Sequence, residues 1–234
     1  MCLMKIRHIF FDLDNTLWDH RKNAQLTLQK LFSEYNIQDK LSISFEEYHS
    51  VYHTINEDLW AKIRDGIIDK DTLRKHRFYD VFLHFGLDDF ELAQTFEHQF
   101  LDEIIEYNEL VEGTVPLLNY LKDKGYTLHI LSNGFQEVTR RKLTGSKIEH
   151  YFETVTSADE IGLRKPHPEI FQFALNKAHA EEQNTYFIGD DWIADALGAR
   201  DFGLPVLFFD VFDEGFSETG IINIKTLSEV KDYL

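Results

Sequence analysis

With 234 residues, the chain is long enough for one large domain or for a core with a smaller companion. Hydrophobic residues at 43% and charged residues at 28% are an ordinary globular balance, and the single cysteine, Cys2, excludes an intrachain disulfide and a cysteine zinc cluster. The 24 basic residues against 41 acidic ones give a formal charge of −17, which argues against a nucleic-acid polymer or an anionic membrane as partner.

An anionic substrate therefore needs local positive charge, from a metal or a placed lysine. No apolar run reaches the length of a membrane span, and residues 1–11 lack the order of a signal peptide, so a cytoplasmic protein is expected.

The first predicted element is a short apolar strand, Ile9 to Phe11, suited to burial on both faces. It stops at Asp12 and Asp14, whose side chains project the same way from an extended backbone and can reach a shared cation or substrate. Desolvated carboxylates are costly unless a cation compensates them, so packing alone is a poor reason for the pair. The plain alternative is an Asx turn or helix cap, which Asp, Asn and Thr all favour.

From Trp18 to about Glu109, Gly is scarce, Pro is absent and apolar residues recur at helical spacing. Leu26, Leu28, Leu31, Phe32 and Tyr35 form one stripe; Phe45, Tyr48, Val51, Tyr52 and Ile55 a second; Leu73, Phe78, Phe82 and Phe85 a third. Ser44 and Asp71 read as helix starts, and Asp65-Gly66 and Phe85-Gly86 as breaks. The aromatics, Trp60 and Tyr79 among them, read mainly as the core of a helical bundle.

After Glu109 the pattern alternates. Helices are predicted over 113–124, 135–143, 168–178 and 193–201, with a closing helix over 227–233. Strands are predicted over 126–131, 152–156, 185–188 and 205–209, with an edge strand over 221–224. Such alternation implies an α/β fold, a Rossmann-like parallel sheet with helices on both faces. The organisation expected is a core of residues 1–17 and 110–234, with an all-helical cap, 18–109, inserted between.

Ligands of open α/β sheets sit beyond the carboxyl ends of the strands. Polar residues collect in that register: Asp12 and Asp14, then Ser132-Asn133-Gly134, then Gly189-Asp190-Asp191, with Arg164-Lys165-Pro166-His167-Pro168 in a loop before a helix. Taken singly, the second group is an ordinary turn, Lys165 a solvated lysine and Gly189-Asp190 a strand exit with a cap.

In this order, together with Asp-x-Asp-x-Thr ending at Thr16, the four groups resemble the motifs of the haloacid dehalogenase-like hydrolases, most of which are magnesium-dependent phosphatases. The resemblance implies roles residue by residue. Asp12 matches the nucleophile that forms an aspartyl-phosphate. Asp14 matches the acid that protonates the leaving oxygen and then the base that activates water. Thr16, Ser132 and Asn133 belong to the matching motifs, with Ser132 and nearby amides holding phosphate. Lys165 matches the cation that neutralises the phosphoryl group and restrains Asp12. Mg2+ is the implied cofactor, held by Asp12, the backbone carbonyl of Asp14, and Asp190 or Asp191.

No histidine of the 11 is assigned to a metal. His167 reads as a surface residue, His129 as a satisfied core residue, and Arg140-Arg141-Lys142 as a solvated helix end.

Asn56 to Trp60, Gly66, Leu73, Arg77-Phe78 and Ser132 to Phe135 further resemble the helical-cap phosphatases that include the bacterial pyrimidine 5′-nucleotidases. Trp18, beside the motif, is a candidate to stack on a base or to pack against the insert, and Gly134 a candidate to line the substrate. The substrate implied is a small phosphorylated metabolite such as a nucleoside 5′-monophosphate, handled by a monomer or homodimer. Sugar phosphates or phosphoglycolate are the runner-up, and a phosphomutase keeps both acids. A dehalogenase is disfavoured because the second acid, Asp14, is present, and a non-catalytic binding protein because no motif position is replaced.

Overall fold

The structure, a computed structural model, describes residues 6–234, so Cys2 lies outside the described residues. Two compact units are seen: one runs to His20 and resumes over Glu109–Leu234, and the other is Arg21–Asn108. Trp18 belongs with the first unit, where it bridges to Asp14 and to Leu110.

The first unit is built on six parallel strands in the order β3-β2-β1-β4-β5-β6. They are β1 (His8–Phe11), β2 (Thr127–Ser132), β3 (Phe152–Ser157), β4 (Thr185–Gly189), β5 (Val206–Phe209) and β6 (Ile221–Ile224). The apolar run of β1 needs two covered faces, and the order supplies them by placing it in the middle, paired with β2 and β4. Phe10, Leu131, Ile170, Phe171, Phe187 and Val206 are among the buried residues of one core cluster.

The connecting helices follow the alternation read in the sequence. Within this unit they are α6 (Thr114–Asp123), α7 (Gln136–Gly145), α8 (Pro168–Ala178) and α9 (Gly198–Phe202). Pro168 opens α8 at a position where its missing N–H costs nothing.

Two predicted helices differ in kind. The stretch expected over 193–201 is a π-helical segment, Trp192–Leu197, that runs into α9. Asp191 O accepts from both Asp195 N and Ala196 N, and this widened turn helps carry Asp195 inward. The closing helix is a 3-10 segment, Leu227–Asp232, whose six residues are too few for a stable α-helix on their own.

The second unit is helical throughout: α1 (His20–Glu34), α2 (Ile37–Leu41), α3 (Phe45–Arg64), α4 (Lys70–His84) and α5 (Phe90–Tyr107). Ser44 caps α3 through a reciprocal box with Glu47. The cap of α4 is Asp69, not Asp71, because a capping carboxylate must reach the amide three residues on, and Asp69 accepts from Thr72 N at 2.8 Å. Phe78 and Phe82 pack in the interior with Tyr48, Tyr52, Phe96 and Phe100, whereas Trp60, Tyr79 and Phe85 are only half-buried. Among these aromatics the Arg77–Glu97 pair is also buried, at 2.5 Å.

Candidate active site

Register alone brings the motifs together. Phe11 lies between Ile130 of β2 and Ile188 of β4, so the residues that follow each strand emerge side by side at the carboxyl edge of the sheet. Asp12, the first residue past β1, still donates its N–H to Ile188 O at 2.9 Å, which fixes its backbone before its side chain does any chemistry.

Lys165 reaches this edge from the loop before α8 and is 1% exposed. Its ammonium donates to Asp12 Oδ1 at 2.6 Å and to Leu131 O at 2.7 Å, and stands 2.7 Å from Asp195 Oδ1. An ammonium has three protons, and three oxygens meet it. Burial works against the charge of Lys165, but Asp12 and Asp195 outweigh it and hold the group protonated above the ordinary lysine range.

Asp12, Asp190 and Asp195 are all buried, with one oxygen of each within 4.8 Å of the others. Burial and the neighbouring carboxylates Asp195 and Asp14 push Asp12 up to about 8, against the pull of Lys165. Burial, then Asp12 and Asp195, raise Asp190 well above the usual carboxylate range. Burial also raises Asp195, with Lys165 opposing it. Three carboxylates share one lysine, and such an excess of buried negative charge is relieved by a bound cation or by protons.

This donor set fits a hard divalent ion such as magnesium, since every contributor is an oxygen. Thr16 Oγ1 donates to Asp190 Oδ1 at 2.7 Å and so orients that carboxylate. Asp195 has both oxygens engaged, one on Lys165 and the other accepting from Asp191 N at 3.1 Å. Gly189 makes room for Asp195, because a Cβ there would come within 2.3 Å of its carboxylate.

Asp14 lies apart from that cluster. Burial tends to raise its pKa, but Lys142 and then His20 prevail and hold the carboxyl below its usual range. Lys142 Nζ is 2.5 Å from Asp14 Oδ1 and 4.3 Å from the centre of the Trp18 ring.

A model of the haloacid dehalogenase-like hydrolases matches residues 6–203 of the chain. The chain belongs to this family of hydrolases. Among family members it resembles the HAD-hydrolase YfnB of Bacillus subtilis, at 26% identity over 89% of this chain and 86% of that protein. A structure of YfnB bound to magnesium superimposes with a TM-score of 0.88 at 24% identity, covering 98% of this chain and 99% of that one. The pyrimidine 5′-nucleotidase YjjG of Escherichia coli is 25% identical over 99% of both chains. The glyceraldehyde 3-phosphate phosphatase of Pyrococcus abyssi is 28% identical over 87% of this chain and 81% of that protein.

Of the family positions read from the sequence, Asp12, Thr16, Lys165 and Asp190 come together as one hydrogen-bonded and ionic group. Ser132 is buried beside it, its Oγ accepting from Gly134 N at 3.0 Å. Gly134 leaves a cradle, since a Cβ there would lie 3.1 Å from Ser132 Oγ and 3.6 Å from Asp14 Oδ2. Asn133 turns away from the acidic cluster and bonds the backbone of Lys165. Asp191 is not in the cluster either: its Oδ1 accepts from Ile193 N and Ala194 N, both at 2.8 Å, as the cap of the π-helical segment. Trp18 is fully buried beneath Lys142 and offers no open face to a base, so the packing alternative holds.

The solvated reading of the basic run over 140–142 is also corrected. Arg140 and Arg141 are exposed, but Lys142 is only 4% exposed because it is the residue of the three that turns toward Asp14. Asp195 is the other functional residue missing from the sequence assignment. Its signal was faint, an acid four residues after Asp191 on what read as an ordinary helix, and the π turn that helps aim it inward has no signature of its own. His129 is a satisfied core residue as expected, within 3.0 Å of His8 Nδ1 and 2.8 Å of Thr154 Oγ1. His167 is exposed at the start of α8, as expected.

Proposed function

We propose that this hydrolase is a magnesium-dependent phosphomonoesterase that works through an aspartyl-phosphate, with nucleoside 5′-monophosphates as the substrate class. The observation that carries the reading is the setting of Asp12: a buried carboxylate at a central strand end, held by Lys165 at 2.6 Å and crowded by Asp190 and Asp195.

Asp12 attacks phosphorus, so that a carboxylate oxygen to phosphorus bond forms while the bond to the leaving oxygen breaks. Asp14 gives its proton to the leaving oxygen, then takes one from the water that opens the acyl phosphate. Lys165 keeps Asp12 in line and meets the negative charge of the phosphoryl oxygens. The side chains of Asp12 and Asp190, with the carbonyl of Asp14, are the ligands assigned to magnesium; Asp191 is left out because its carboxylate is spent on a cap. The ion supplies further neutralisation of phosphate charge when bound.

The nucleotide assignment leans on the likeness to YjjG across the whole chain. The likeness to glyceraldehyde 3-phosphate phosphatase keeps sugar and triose phosphates as the second reading. Phosphate release with magnesium, measured as kcat/KM over a panel of nucleoside monophosphates and sugar or carboxylic-acid phosphates, decides between them. The nucleotide reading predicts that pyrimidine or deoxy monophosphates lead. A panel in which every nucleotide falls far below the best sugar phosphate removes it, and a panel with no turnover removes the phosphatase reading as well.

A further inference from the structure

Lys142 breaks the expectation for a lysine on a helix surface. Its two basic neighbours in the chain are exposed, yet its own side chain is turned inward and is 4% exposed. Burying an ammonium is costly unless charge and hydrogen bonds replace water. Here the replacements are Asp14 Oδ1 at 2.5 Å and the indole face of Trp18 at 4.3 Å.

The contact is made to one oxygen only. The other oxygen, Oδ2, faces Gly134, where a Cβ would lie 3.6 Å away, and Gly134 N is bonded to Ser132 Oγ. One oxygen is therefore anchored, and the other is presented toward the loop that follows β2. Trp18 is held in turn: its backbone bridges to Asp14 and Leu110, and its ring is fully buried. The anchor thus rests on a fixed ring, not on a mobile side chain, and a long flexible lysine is immobilised along with the acid it holds.

We propose that Lys142 is the positioning residue of the general acid, fixing Asp14 Oδ1 so that Oδ2 delivers the proton to the leaving oxygen. The inference rests on the phosphatase reading above. In the step concerned the phosphorus to leaving-oxygen bond breaks, its electron pair goes to that oxygen, and the proton of Asp14 goes with it. Lys142 touches neither the phosphate nor the leaving group and acts through Asp14.

The consequence is selective. A leaving group that is already a weak base needs little protonation, whereas a poor one depends on the acid. The test is a series of substituted phenyl phosphates, from 4-nitrophenyl to unsubstituted phenyl, with kcat and KM measured separately for wild type, Lys142→Met and Lys142→Arg. For Lys142→Met, kcat for phenyl phosphate is expected to fall about 10-fold or more beyond its fall for 4-nitrophenyl phosphate, with KM little moved. Lys142→Arg is expected to recover most of the difference. In an Asp14→Asn background, Lys142→Met is expected to cost little more, since both changes disable one unit. If Lys142→Met does not fold, Lys142→Gln takes its place in the series.

A fall of equal size for every leaving group shows a merely structural role and overturns the inference while the phosphatase reading stands. Full additivity with Asp14→Asn overturns it too. A wild-type chain inert toward the whole series overturns the phosphatase reading and the inference with it.

Discussion

Asn133 grips the backbone of Lys165 on both sides: its Nδ2 donates to Lys165 O at 3.0 Å, and its Oδ1 accepts from Lys165 N at 2.8 Å. An amide side chain is the one neutral group of this size that can do both at once. The residue after β2 thereby sets the position of a lysine 32 places along the chain. Asn133 is accordingly a positioning residue, and contact with phosphate is left to Ser132 and the amides around it.

Replacement of Asn133 follows from that geometry. Asn133→Ala removes both bonds and lets the loop carrying Lys165 drift, and misplacement by about 1 Å is worth roughly 100-fold in rate. The expected result is a kcat lower by about 10- to 100-fold with the fold retained, checked by steady-state kinetics beside circular dichroism. Unchanged kcat would show that Lys165 is placed by its ammonium contacts alone.

Asp12→Asn keeps the shape of the nucleophile and removes its attacking charge. Turnover should fall by at least about 10⁴-fold, the scale seen when a nucleophile is lost. Stability should hold, because the change relieves the carboxylate crowding that pushes Asp12 up to about 8. A melting curve and an activity assay on the same purified sample settle both parts, and more than trace magnesium-dependent activity would sink the assignment.

Magnesium should stabilise the folded chain, since it binds the acidic cluster only when the strand ends are assembled. At a concentration 100-fold above Kd the gain is about 2.7 kcal/mol, readable as a rise in Tm that chelator reverses. Asp190→Ala should lose most of this rise, because it takes away one of the buried carboxylates of the cluster. Asp191→Ala should keep the rise and lose some helix capping instead. Equal loss in both variants would mean that Asp191 also reaches the ion.

The pair His8 and His129 predicts an acid limit on stability. Burial, with smaller contributions from His8 and Lys122, lowers His129 to about 3. Its unfolded value is near 6.5, so between these values the unfolded chain binds the extra proton and folding loses stability as pH falls. The contribution is intact above pH 6.5, and by pH 5 roughly 2 kcal/mol of it should be gone. Urea unfolding at pH 7 and pH 5 should show a steeper loss for wild type than for His129→Gln. Parallel losses would place the acid sensitivity elsewhere.

Much of the fold was written locally. A five-letter apolar and acidic start, helical spacing of Leu, Phe and Tyr, and strands alternating with helices fix a parallel α/β sheet with an inserted helical unit, because periodicity and burial are properties of short segments. The strand-end motifs were legible for the same reason: each residue sits within one or two places of a strand that the sequence marks. Asp12, Asp14, Thr16, Ser132, Lys165 and Asp190 were found in that way.

What the sequence could not disclose depends on direction and distance in three dimensions. Arg140, Arg141 and Lys142 are alike in charge and adjacent in the chain, and only the rotation of α7 against the sheet turns Lys142 to Asp14. Asp190 and Asp191 are alike as letters. Tertiary geometry gives one to the cluster and the other to a cap, because successive side chains leaving a strand point opposite ways. Asp195 enters the site through a π turn that local propensity does not encode. Trp18 carries an aromatic ring suited to a base, and its burial under Lys142 decides otherwise, since a ring with no open face cannot stack.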